Sequence, residues 1–484
     1  MTHQVRRLAL IMTIAMLMLL GNLAVTQVLE AESLRLHQDN TRLLLEEYGR
    51  ERGAIVVDGA AIAQSIKTGA TLAYERRYPG GEMFAPATGF YSLIYGATGI
   101  ERLYSPILSG RDDRLIVDRL QQLLAGQQPR GGSVTLSLRT DMQKVAYEAL
   151  DGRRGAVVAL DPATGEILTM VASPSYDPSL ISQNKPAAVR AAYNQLLEDP
   201  NQPMMNRPLT QSLPPGSTFK LVVAAAALES GRFTADSILP GPAALQLPNS
   251  TKKLHNWQLG PCSKSGKLTL RRALEVSCNT AFAWLGMQLG ADAIEKQAEA
   301  FGFNTSFEIP LVAAASVFPV SLDEAQTAMS SIGQFDVRAT ALQMAMVTAA
   351  ITNQGNLMYP HLVRNVRSND LSIIESTTPE LVRSAMSPAN AAVLLDMMRS
   401  VVTNGTASSG QISGIKVGAK TGTAESGTDA LPHAWFVATG EYQGRSIVVA
   451  VVVENGGGEQ EVSGNRIAGP IAAAVLETAF KQGN

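Results

Sequence analysis

One segment near the N-terminus constrains the architecture more than any other part of this 484-residue sequence. Residues 8–29 are 22 consecutive positions without a charged side chain. As a helix they would extend about 33 Å, which matches the roughly 30 Å hydrocarbon core of a bilayer. Two arginines precede the segment and two glutamates follow it closely. The positive-inside bias therefore predicts a cytoplasmic tail at residues 1–7, a transmembrane anchor at 8–29, and residues 30–484 outside the cytoplasm. The alternative is a cleaved signal peptide, whose apolar stretch usually has only about 7–15 residues.

Composition excludes several classes of protein. The sequence has 40 basic and 42 acidic side chains, a formal net charge of −2. A near-neutral chain without basic runs lacks the cationic surface that binds nucleic acid, so we expect no nucleic-acid partner. With 45% apolar and 17% charged residues, the chain is too apolar to be disordered. The five histidines are scattered and no His or Cys spacing typical of zinc occurs, so we expect no metal and no cofactor.

Two units are predicted outside the membrane. Residues 30–50 contain leucines among polar residues and predict a juxtamembrane helix, and the rest of 30–132 has the short apolar runs of a small α+β module. Residues 133–484 contain a hairpin signal and three late strand signals joined by short connections, which favour antiparallel pairing. These signals are Gly155–Leu160 and Ile167–Val171 around the turn Asp161-Pro-Ala-Thr-Gly165, then Ile415–Ala419, Trp435–Ala438 and Ile447–Val453. We therefore expect an α+β fold, a central antiparallel sheet covered by helices, built from segments far apart in sequence.

A serine at the start of a helix with a lysine three residues later predicts nucleophilic catalysis without histidine. Ser217 and Lys220 follow Pro214-Pro215-Gly216, which ends the preceding segment, and they lead into a long apolar run. A hydroxyl is a weak nucleophile until a base takes its proton. Positions i and i+3 share a helix face, so Lys220 is predicted to reach the Ser217 hydroxyl.

Motifs this short also occur by chance, so their context must select among them. Ser-x-x-Lys occurs four times, while Ser-x-Asn and Lys-[Ser/Thr]-Gly each occur three times. Of the four serines, only Ser217 lies between a Pro-Pro-Gly sequence, which would end a helix or strand, and a long apolar run that predicts a helix. Ser277-Cys278-Asn279 falls between two helical patterns, and Lys420-Thr421-Gly422 ends one strand signal before the next. The selected order is Ser217, Ser277 and Lys420.

In this order the three motifs resemble those of the penicillin-binding proteins and serine β-lactamases. Longer stretches extend the resemblance to penicillin-binding transpeptidases over residues 50–480. These stretches are Arg207-Pro208 ahead of Pro215-Gly216-Ser217-Thr218-Phe219-Lys220, Ser277-Cys-Asn-Thr-Ala-Phe, Ser331-Ile-Gly-Gln, Leu342-Gln-Met-Ala, Leu160-Asp-Pro-Ala-Thr-Gly-Glu and Val134-Thr-Leu. The chain resembles the class B, monofunctional enzymes of the short penicillin-binding protein A type. The resemblance implies a non-catalytic dimerisation or pedestal module at 30–132 and a transpeptidase domain of the penicillin-binding/serine β-lactamase-like fold at 133–484.

The resemblance also implies the roles of the first two motifs. Ser217 would be the nucleophile that becomes acylated, and Lys220 the general base. Ser277 would relay a proton toward the leaving amine, while Asn279 would contact Lys220 or the substrate backbone. The identity of the base is disputed in the superfamily, so another base stays open.

The third motif would bind the substrate. Lys420 would supply positive charge for the terminal carboxylate, with hydroxyls from Thr421 and Thr423 beside it. Gly422 would let the substrate backbone lie against the strand as an added edge. The N–H groups of Ser217 and Thr423 would form the oxyanion hole.

The implied activity is that of a peptidoglycan D,D-transpeptidase. It would cross-link stem peptides ending in D-Ala-D-Ala through a serine acyl-enzyme, with release of D-Ala, and β-lactams would acylate the same serine. Proteins of division or elongation would be its partners. The alternatives of the same fold are a β-lactam-hydrolysing protein, a β-lactam sensor and a D,D-carboxypeptidase. A class A lactamase would need a second carboxylate for deacylation, and no Glu-x-x-Leu-Asn follows Ser277.

An unrelated alternative is a nucleotide-binding loop. The stretch from Gly414 to Thr421 differs from G-x-x-x-x-G-K-[ST] only by Ala419. The residues after it, Thr423-Ala-Glu-Ser-Gly, are a poor start for the helix that such a loop requires, so we reject this alternative.

Two positions depart from the family pattern or add to it. Phe335 follows Ser331-Ile-Gly-Gln where relatives often have Gly, which leaves the local loop shape open. Cys278 stands at the centre of the second motif, and the other cysteine is Cys262. They could be ordinary buried thiols, but outside the cytoplasm we expect a disulfide. Such a bridge would fix the loop that holds Ser277 and Asn279.

Overall fold

The computed structural model describes residues 2–25, 48–69, 72–126, 128, 130–425, 427, 430–459 and 461–481. The α-helices are α1 (Thr2–Ala24), α2 (Gly81–Thr88), α3 (Gly99–Leu103), α4 (Ser105–Leu108), α5 (Ile116–Leu124), α6 (Thr140–Leu150), α7 (Pro186–Glu198), α8 (Arg207–Thr210), α9 (Lys220–Glu229), α10 (Leu270–Glu275), α11 (Asn279–Leu289), α12 (Ala291–Ala300), α13 (Glu324–Ser330), α14 (Ala341–Thr352), α15 (Pro388–Asn404) and α16 (Gly464–Lys481). The strands are β1 (Ile55–Val57), β2 (Ala60–Lys67), β3 (Tyr74–Arg77), β4 (Tyr91–Ser92), β5 (Gly96–Ala97), β6 (Ser133–Leu136), β7 (Gly155–Leu160), β8 (Ile167–Ser173), β9 (Ile238–Pro240), β10 (Ala244–Gln246), β11 (Lys253–His255), β12 (Lys267–Thr269), β13 (Phe307–Glu308), β14 (Val312–Ala313), β15 (Asn356–Met358), β16 (Val363–Arg367), β17 (Ile373–Ser376), β18 (Leu381–Ser384), β19 (Lys416–Ala424), β20 (His433–Tyr442) and β21 (Arg445–Val453). This mixture of helices and strands confirms the predicted α+β class.

Helix α1 contains most of the predicted anchor. Its residues His3–Ala24 are long and apolar enough to cross a membrane. The side chains described for this helix are exposed and do not pack in a core. The end of the predicted anchor, 26–29, and residues 30–47 of the predicted juxtamembrane helix lie outside the described residues.

The larger core surrounds a five-stranded antiparallel sheet of order β19-β20-β21-β7-β8. β7 and β8 are the predicted hairpin, and in its turn Asp161 Oδ1 accepts the N–H groups of Ala163 and Thr164. β19, β20 and β21 are the three late strand signals, and Val453 of β21 pairs with Gly155 of β7. The predicted antiparallel sheet of distant segments is therefore confirmed.

Helices cover both faces of this sheet. Every residue of β7 and β8 is buried, as expected for strands enclosed from both sides. α16 packs on β20, β21 and α6, while α14, buried along almost its whole length, packs on β7 and β21. The edge strand β19 packs on α15 and on the turn that contains Ser217. This packing leaves one edge of β19 beside that serine.

A second sheet joins the front module to the rest of the chain. Its six strands have the order β17-β16-β6-β1-β2-β3. β1 of the front module pairs in parallel with β6, through Ile55 and Val134, and β6 pairs antiparallel with β16. The predicted boundary between 132 and 133 stays a prediction, but the segments on its two sides share this sheet.

An ion cluster is buried in the front module. Glu101 Oε2 accepts a hydrogen bond from Arg52 Nε at 2.7 Å, and Glu101 Oε1 accepts one from Arg76 Nε at 2.6 Å. All three side chains are almost inaccessible to water. Arg76 also donates to the carbonyl oxygen of Gly53 at 2.8 Å, and Arg52 lies 4.2 Å from the centre of the Tyr91 ring. One carboxylate and several polar acceptors thus compensate two buried guanidinium groups.

Candidate active site

The turn before α9 presents Ser217. A 3₁₀ turn over Gly216–Phe219 leads directly into α9, as the Pro-Pro-Gly sequence and the predicted helix require. Gly216 has a φ of 53°, and a Cβ there would lie 2.8 Å from Thr423 O, so the turn can approach β19 this closely only with glycine. Gly216 N–H donates to Gly333 O at 3.0 Å. The Ser331-Ile-Gly-Gln stretch therefore holds the turn that presents Ser217. The side chain of Ser217 is half-buried beside β19.

The second motif forms the loop between α10 and α11, where the sequence predicts it. Ser277 has a φ of 55°, an uncommon backbone conformation for a non-glycine residue, and Asn279 begins α11. A disulfide joins Cys262 and Cys278, so the predicted bridge is confirmed and the thiol alternative is wrong. The cross-link lies between the two polar residues of the motif and restrains both.

Three segments far apart in sequence converge on the Ser277 hydroxyl. Lys220 Nζ donates to Ser277 Oγ at 3.2 Å, and Lys420 Nζ donates to the same oxygen at 2.9 Å. Lys220 Nζ also donates to Ser277 O and to Asn279 Oδ1, both at 2.8 Å. The predicted contact between Asn279 and Lys220 is therefore present. In the part of the chain that is described, Lys220 makes no hydrogen bond with Ser217, so the predicted contact between these two side chains is not formed.

Both lysines are fully buried, and in the described residues neither forms an ion pair with a carboxylate. Burial, together with the nearby charge of Lys420, holds the pKa of Lys220 well below its usual range. Burial lowers the pKa of Lys420 to about 7. The ring of Phe282 lies 5.5 Å from Lys220 Nζ and adds an apolar wall. A lysine whose ammonium form is disfavoured in this way can act as a general base near neutral pH.

β19 runs past Ser217 with one edge unpaired in the described structure. Lys420 Nζ contacts Thr421 O at 2.9 Å, and the Gly216 turn lies against Thr423 O, so both carbonyls point away from β20. In an antiparallel strand the N–H of a residue points to the same side as its C=O. The N–H of Thr423 therefore faces the turn of Ser217, the direction that a two-point oxyanion site requires.

Two residues of β19, Thr421 and Gly422, have protein contacts in addition to the substrate contacts that the resemblance implies. Thr421 Oγ1 lies 2.9 Å from Thr406 Oγ1, so this hydroxyl already has a protein partner. A Cβ on Gly422 would lie 2.9 Å from Pro215 O and 3.0 Å from Thr218 Cγ2. The protein's own nucleophile turn therefore requires glycine at 422, whatever approaches the strand from outside.

The second motif is supported by His255 and Asn256, which no sequence pattern indicated. Asn279 Nδ2 donates to His255 O at 3.1 Å, and Asn256 Oδ1 accepts the N–H of Thr280 at 3.1 Å. Asn256 is buried and also donates to Pro242 O and Gly260 O. The nearest signal in the sequence was Cys262, because its bridge brings residues 242–262 to this loop.

The loop expected of a nucleotide site does not form. Lys416–Ala424 is one continuous strand, so Lys420 stands in the strand and does not follow a loop at the start of a helix. Within the described ranges no group of three His, Cys, Asp or Glu side chains could hold a metal ion.

Comparisons with known proteins agree with this geometry. A family model described as the penicillin-binding protein transpeptidase domain matches residues 155–477, and one described as the penicillin-binding protein A dimerisation domain matches residues 52–134. The sequence is 42% identical to the peptidoglycan D,D-transpeptidase PbpA of Mycolicibacterium smegmatis, with 100% of both chains covered. It is 40% identical to PbpA of Mycobacterium tuberculosis, with 99% of both chains covered.

Solved structures are similar over most of the chain. The ceftriaxone acyl-enzyme complex of penicillin-binding protein A from M. tuberculosis matches with a TM-score of 0.88 and 40% identity, covering 90% of this chain and 100% of that one. The penicillin G acyl-enzyme complex of the same protein matches with a TM-score of 0.85, covering 89% and 100%. The similarity therefore includes both the front module and the region of the three motifs.

Proposed function

Because the chain belongs to the penicillin-binding protein transpeptidases, we propose that it is a peptidoglycan D,D-transpeptidase whose nucleophile is Ser217. Ser217 Oγ attacks the carbonyl carbon of the penultimate D-Ala of one stem peptide. The peptide bond to the terminal D-Ala breaks, and D-Ala leaves with the serine proton on its amine. An amine of a neighbouring stem then attacks the ester, which transfers the acyl group and returns a proton to Ser217. β-Lactams acylate the same oxygen by opening of their ring.

The environment of Lys220 supports its role as the base. A hydroxyl needs a neutral amine nearby to take its proton, and burial keeps the pKa of Lys220 well below its usual range. Asn279 and the Ser277 carbonyl hold Nζ in place. Ser277 Oγ lies between Lys220 and Lys420, so it can pass a proton toward the leaving amine and later return one from the acceptor.

The unpaired edge of β19 supports the roles of the third motif. A stem peptide lying along this edge would bring its carboxylate toward Lys420, and a nearby carboxylate would restore the protonated form of an amine whose pKa is about 7. Thr421 and Thr423 would donate hydroxyl hydrogen bonds beside it, and Gly422 leaves the strand without a side chain at this point. The N–H groups of Ser217 and Thr423 would stabilise the oxyanion.

One observation carries the proposal: the lysines of the first and third motifs meet at Ser277 of the second, although 57 and 143 residues separate them from it. Neither lysine is paired with a carboxylate in the described residues. A purely structural pair would be expected to have one, since buried cations without a partner are costly.

Labelling with a fluorescent penicillin tests the proposal. The wild-type chain should form one stable adduct, and peptide mapping should find it on Ser217. Ser217→Ala should abolish the label, while Ser212→Ala, in the same segment but before the turn, should keep it. An adduct at another residue would reject the assignment of the nucleophile.

A second measurement separates the alternatives of the same fold. With purified lipid-linked stem peptides, the chain should release D-Ala and form cross-linked product in equal amounts. Release of D-Ala without cross-links would indicate a carboxypeptidase. Rapid loss of the penicillin adduct would indicate a β-lactamase, and stable acylation without any D-Ala release would indicate a sensor.

The anchor supports an extracytoplasmic site. With residues 8–29 in the membrane and residues 1–7 in the cytoplasm, residues 30–484 would lie outside, where peptidoglycan is made. Protease added to intact spheroplasts should digest the transpeptidase domain, whereas protection of that domain would contradict the orientation. Partners in division or elongation remain a prediction of the resemblance.

A further inference from the structure

Helix α5 of the front module presents its apolar side chains to the outside. Five apolar residues are exposed: Ile116 by 51%, Val117 by 60%, Leu120 by 55%, Leu123 by 59% and Leu124 by 89%. With 3.6 residues per turn, positions i, i+1, i+4, i+7 and i+8 share one face of a helix. No residue of α5 is buried.

The polar face of the same helix is turned toward the protein. Asp118, Arg119 and Gln122 are half-buried. Arg119 Nη1 donates to Arg111 O at 3.4 Å, and Gln122 Oε1 accepts the N–H of Arg130 at 2.8 Å. A surface helix normally has the opposite arrangement, with its apolar stripe on the core. The exposed face of α5 therefore carries no charge, and it contributes no buried residue to the part of the module that the structure describes.

This face lies near the place where the chain arrives from the membrane anchor. Arg130, which binds Gln122 of α5, also pairs with Glu51 at 3.3 Å, and Gly131 N–H donates to Glu51 O at 3.1 Å. Residues 25–50 separate Glu51 from α1. Twenty-six residues span at most about 90 Å when extended, so the anchor keeps α5 within reach of a bilayer.

The size of the face is sufficient for a lipid contact. Five partly exposed aliphatic side chains present roughly 500 Å² of apolar surface, the size of a patch that often has a function. Insertion into a lipid interface requires no minimum area, because binding increases with the apolar area that leaves water. The short chain distance to the anchor favours the membrane as the partner of this face.

We propose that α5 lies on the surface of the membrane that holds α1, with its apolar face among the lipid acyl chains. The front module then has a second membrane contact besides the anchor. A single membrane contact would leave open the direction in which the module projects, whereas two contacts fix it. Because the inserted face is uncharged, the contact needs no anionic lipid and is insensitive to salt.

A depth measurement on the full chain tests this proposal. Leu123→Cys is labelled with an environment-sensitive nitrobenzoxadiazole dye without reductant, so that the Cys262–Cys278 bridge stays closed. The chain is placed in phosphatidylcholine nanodiscs that hold one copy each. Val320→Cys is the matched control, since Val320 is 64% exposed but lies in the transpeptidase domain. Penicillin labelling verifies that each variant is folded.

Brominated lipid should quench the dye at position 123 at least about twofold more strongly than at position 320, and aqueous iodide should show the reverse order. Raising NaCl from about 0.1 to 0.5 M should leave both results unchanged, since no charge pairing is involved. Adding Leu120→Asn and Leu124→Asn should remove most of the lipid quenching.

Several outcomes would overturn the proposal. Quenching by iodide and not by brominated lipid at position 123 would show that the face stays in water. Shielding from both quenchers in discs with one chain would indicate that another part of the chain covers it. Shielding that occurs only in discs with two chains would indicate self-association, and undiminished lipid quenching in the Asn variant would exclude the apolar face as the cause.

Discussion

Two clusters of buried cationic side chains in this chain differ in how the cost of burying their charge is met. In the front module, Glu101 lies between Arg52 and Arg76. Burial alone would raise the pKa of Glu101, but the charges and hydrogen bonds of the two arginines outweigh it, so this pKa lies below its ordinary value. In the transpeptidase domain, Lys220 and Lys420 meet at Ser277, and all their hydrogen-bond partners in the described part of the chain are neutral. Their pKa values fall instead.

The difference lies in the presence of a carboxylate and in the chemistry of the cation. Guanidinium cannot lose its proton inside a protein, so a buried arginine needs a counter-charge. An amine can lose its proton, so a buried lysine without a counter-charge becomes a base. The first cluster is a structural group of one carboxylate and two guanidinium groups. The second is a reactive site, because its lysines have no carboxylate in the described residues to keep them protonated.

The largest expected effect comes from removing the base. Lys220→Met should lower the rate of acylation by penicillin at least about 10³-fold, because Ser217 loses the group that takes its proton. The free energy of unfolding should stay the same or rise, since an apolar side chain of similar length replaces a buried amine. Stopped-flow acylation and urea unfolding measure the two quantities. A strongly destabilised variant would mean that Lys220 is structural in the way that Arg76 is.

The reverse pattern is expected in the front module. Glu101→Gln should lower the free energy of unfolding by about 3–5 kcal/mol, because two buried guanidinium groups lose the one carboxylate that pairs with them in the described residues. Acylation per folded molecule should be unchanged. Glu148→Gln is the matched control, since Glu148 forms only an exposed pair with Lys144 and should change stability by less than about 0.5 kcal/mol. Equal stability of the two variants would remove the basis of the comparison.

Removing the disulfide would show how much it contributes to holding Ser277 and Asn279 beside Lys220. Replacing both Cys262 and Cys278 by Ala should cost about 3 kcal/mol and should slow acylation, because Ser277 and Asn279 lose the cross-link beside them. Reductant should slow acylation of the wild type and leave the double variant unaffected. Normal acylation in the double variant would show that Asn256 and its hydrogen bonds suffice to hold the loop.

The two clusters should also respond to pH in opposite ranges. The folded pKa of Lys420, about 7, lies below its usual 10.5, so the native state binds fewer protons than the unfolded state between these values and stability rises with pH there. The slope is at most about 1.4 kcal/mol per pH unit for each lysine. The lowered pKa of Glu101 gives a contribution that is present above about pH 4.5 and is lost as the pH falls through the folded pKa.

Urea unfolding of wild type and Lys420→Met between pH 6 and 10 isolates the lysine contribution. The variant should show the smaller rise in stability above pH 7. Glu101→Gln should keep that rise and lose only the acid-dependent part. Parallel curves for wild type and Lys420→Met would contradict the lowered pKa of Lys420.

Much of the site could be predicted from sequence because it depends on local signals. The Pro-Pro-Gly sequence before Ser217 and the apolar run after it predicted the turn and α9. The interruption between two helical patterns located Ser277 and Asn279 in a loop, and the compartment predicted the bridge between Cys262 and Cys278. Each of these features is fixed by neighbouring residues or by the redox environment.

Other features depend on contacts that no local pattern encodes. Lys220 was expected to contact Ser217, but its hydrogen bonds go to Ser277 and Asn279, which α10 and α11 bring to it. Gly422 was interpreted through the substrate, whereas its close neighbours are Pro215 and Thr218 of the protein itself. Asn256 was missed because its buried hydrogen bonds hold a loop with no regular pattern.

The sequence by itself determined which chemical groups are present and the order in which they occur along the chain. It contained a hydroxyl before a helix, two lysines, an edge strand and an apolar anchor. Only the tertiary structure decided that Lys220 and Lys420 are buried together without a carboxylate from the described residues, that β1 pairs with β6, and that the apolar face of α5 points outward. The physical reason is that a pKa and a docking surface depend on what surrounds a side chain, and those surroundings come from segments distant in sequence.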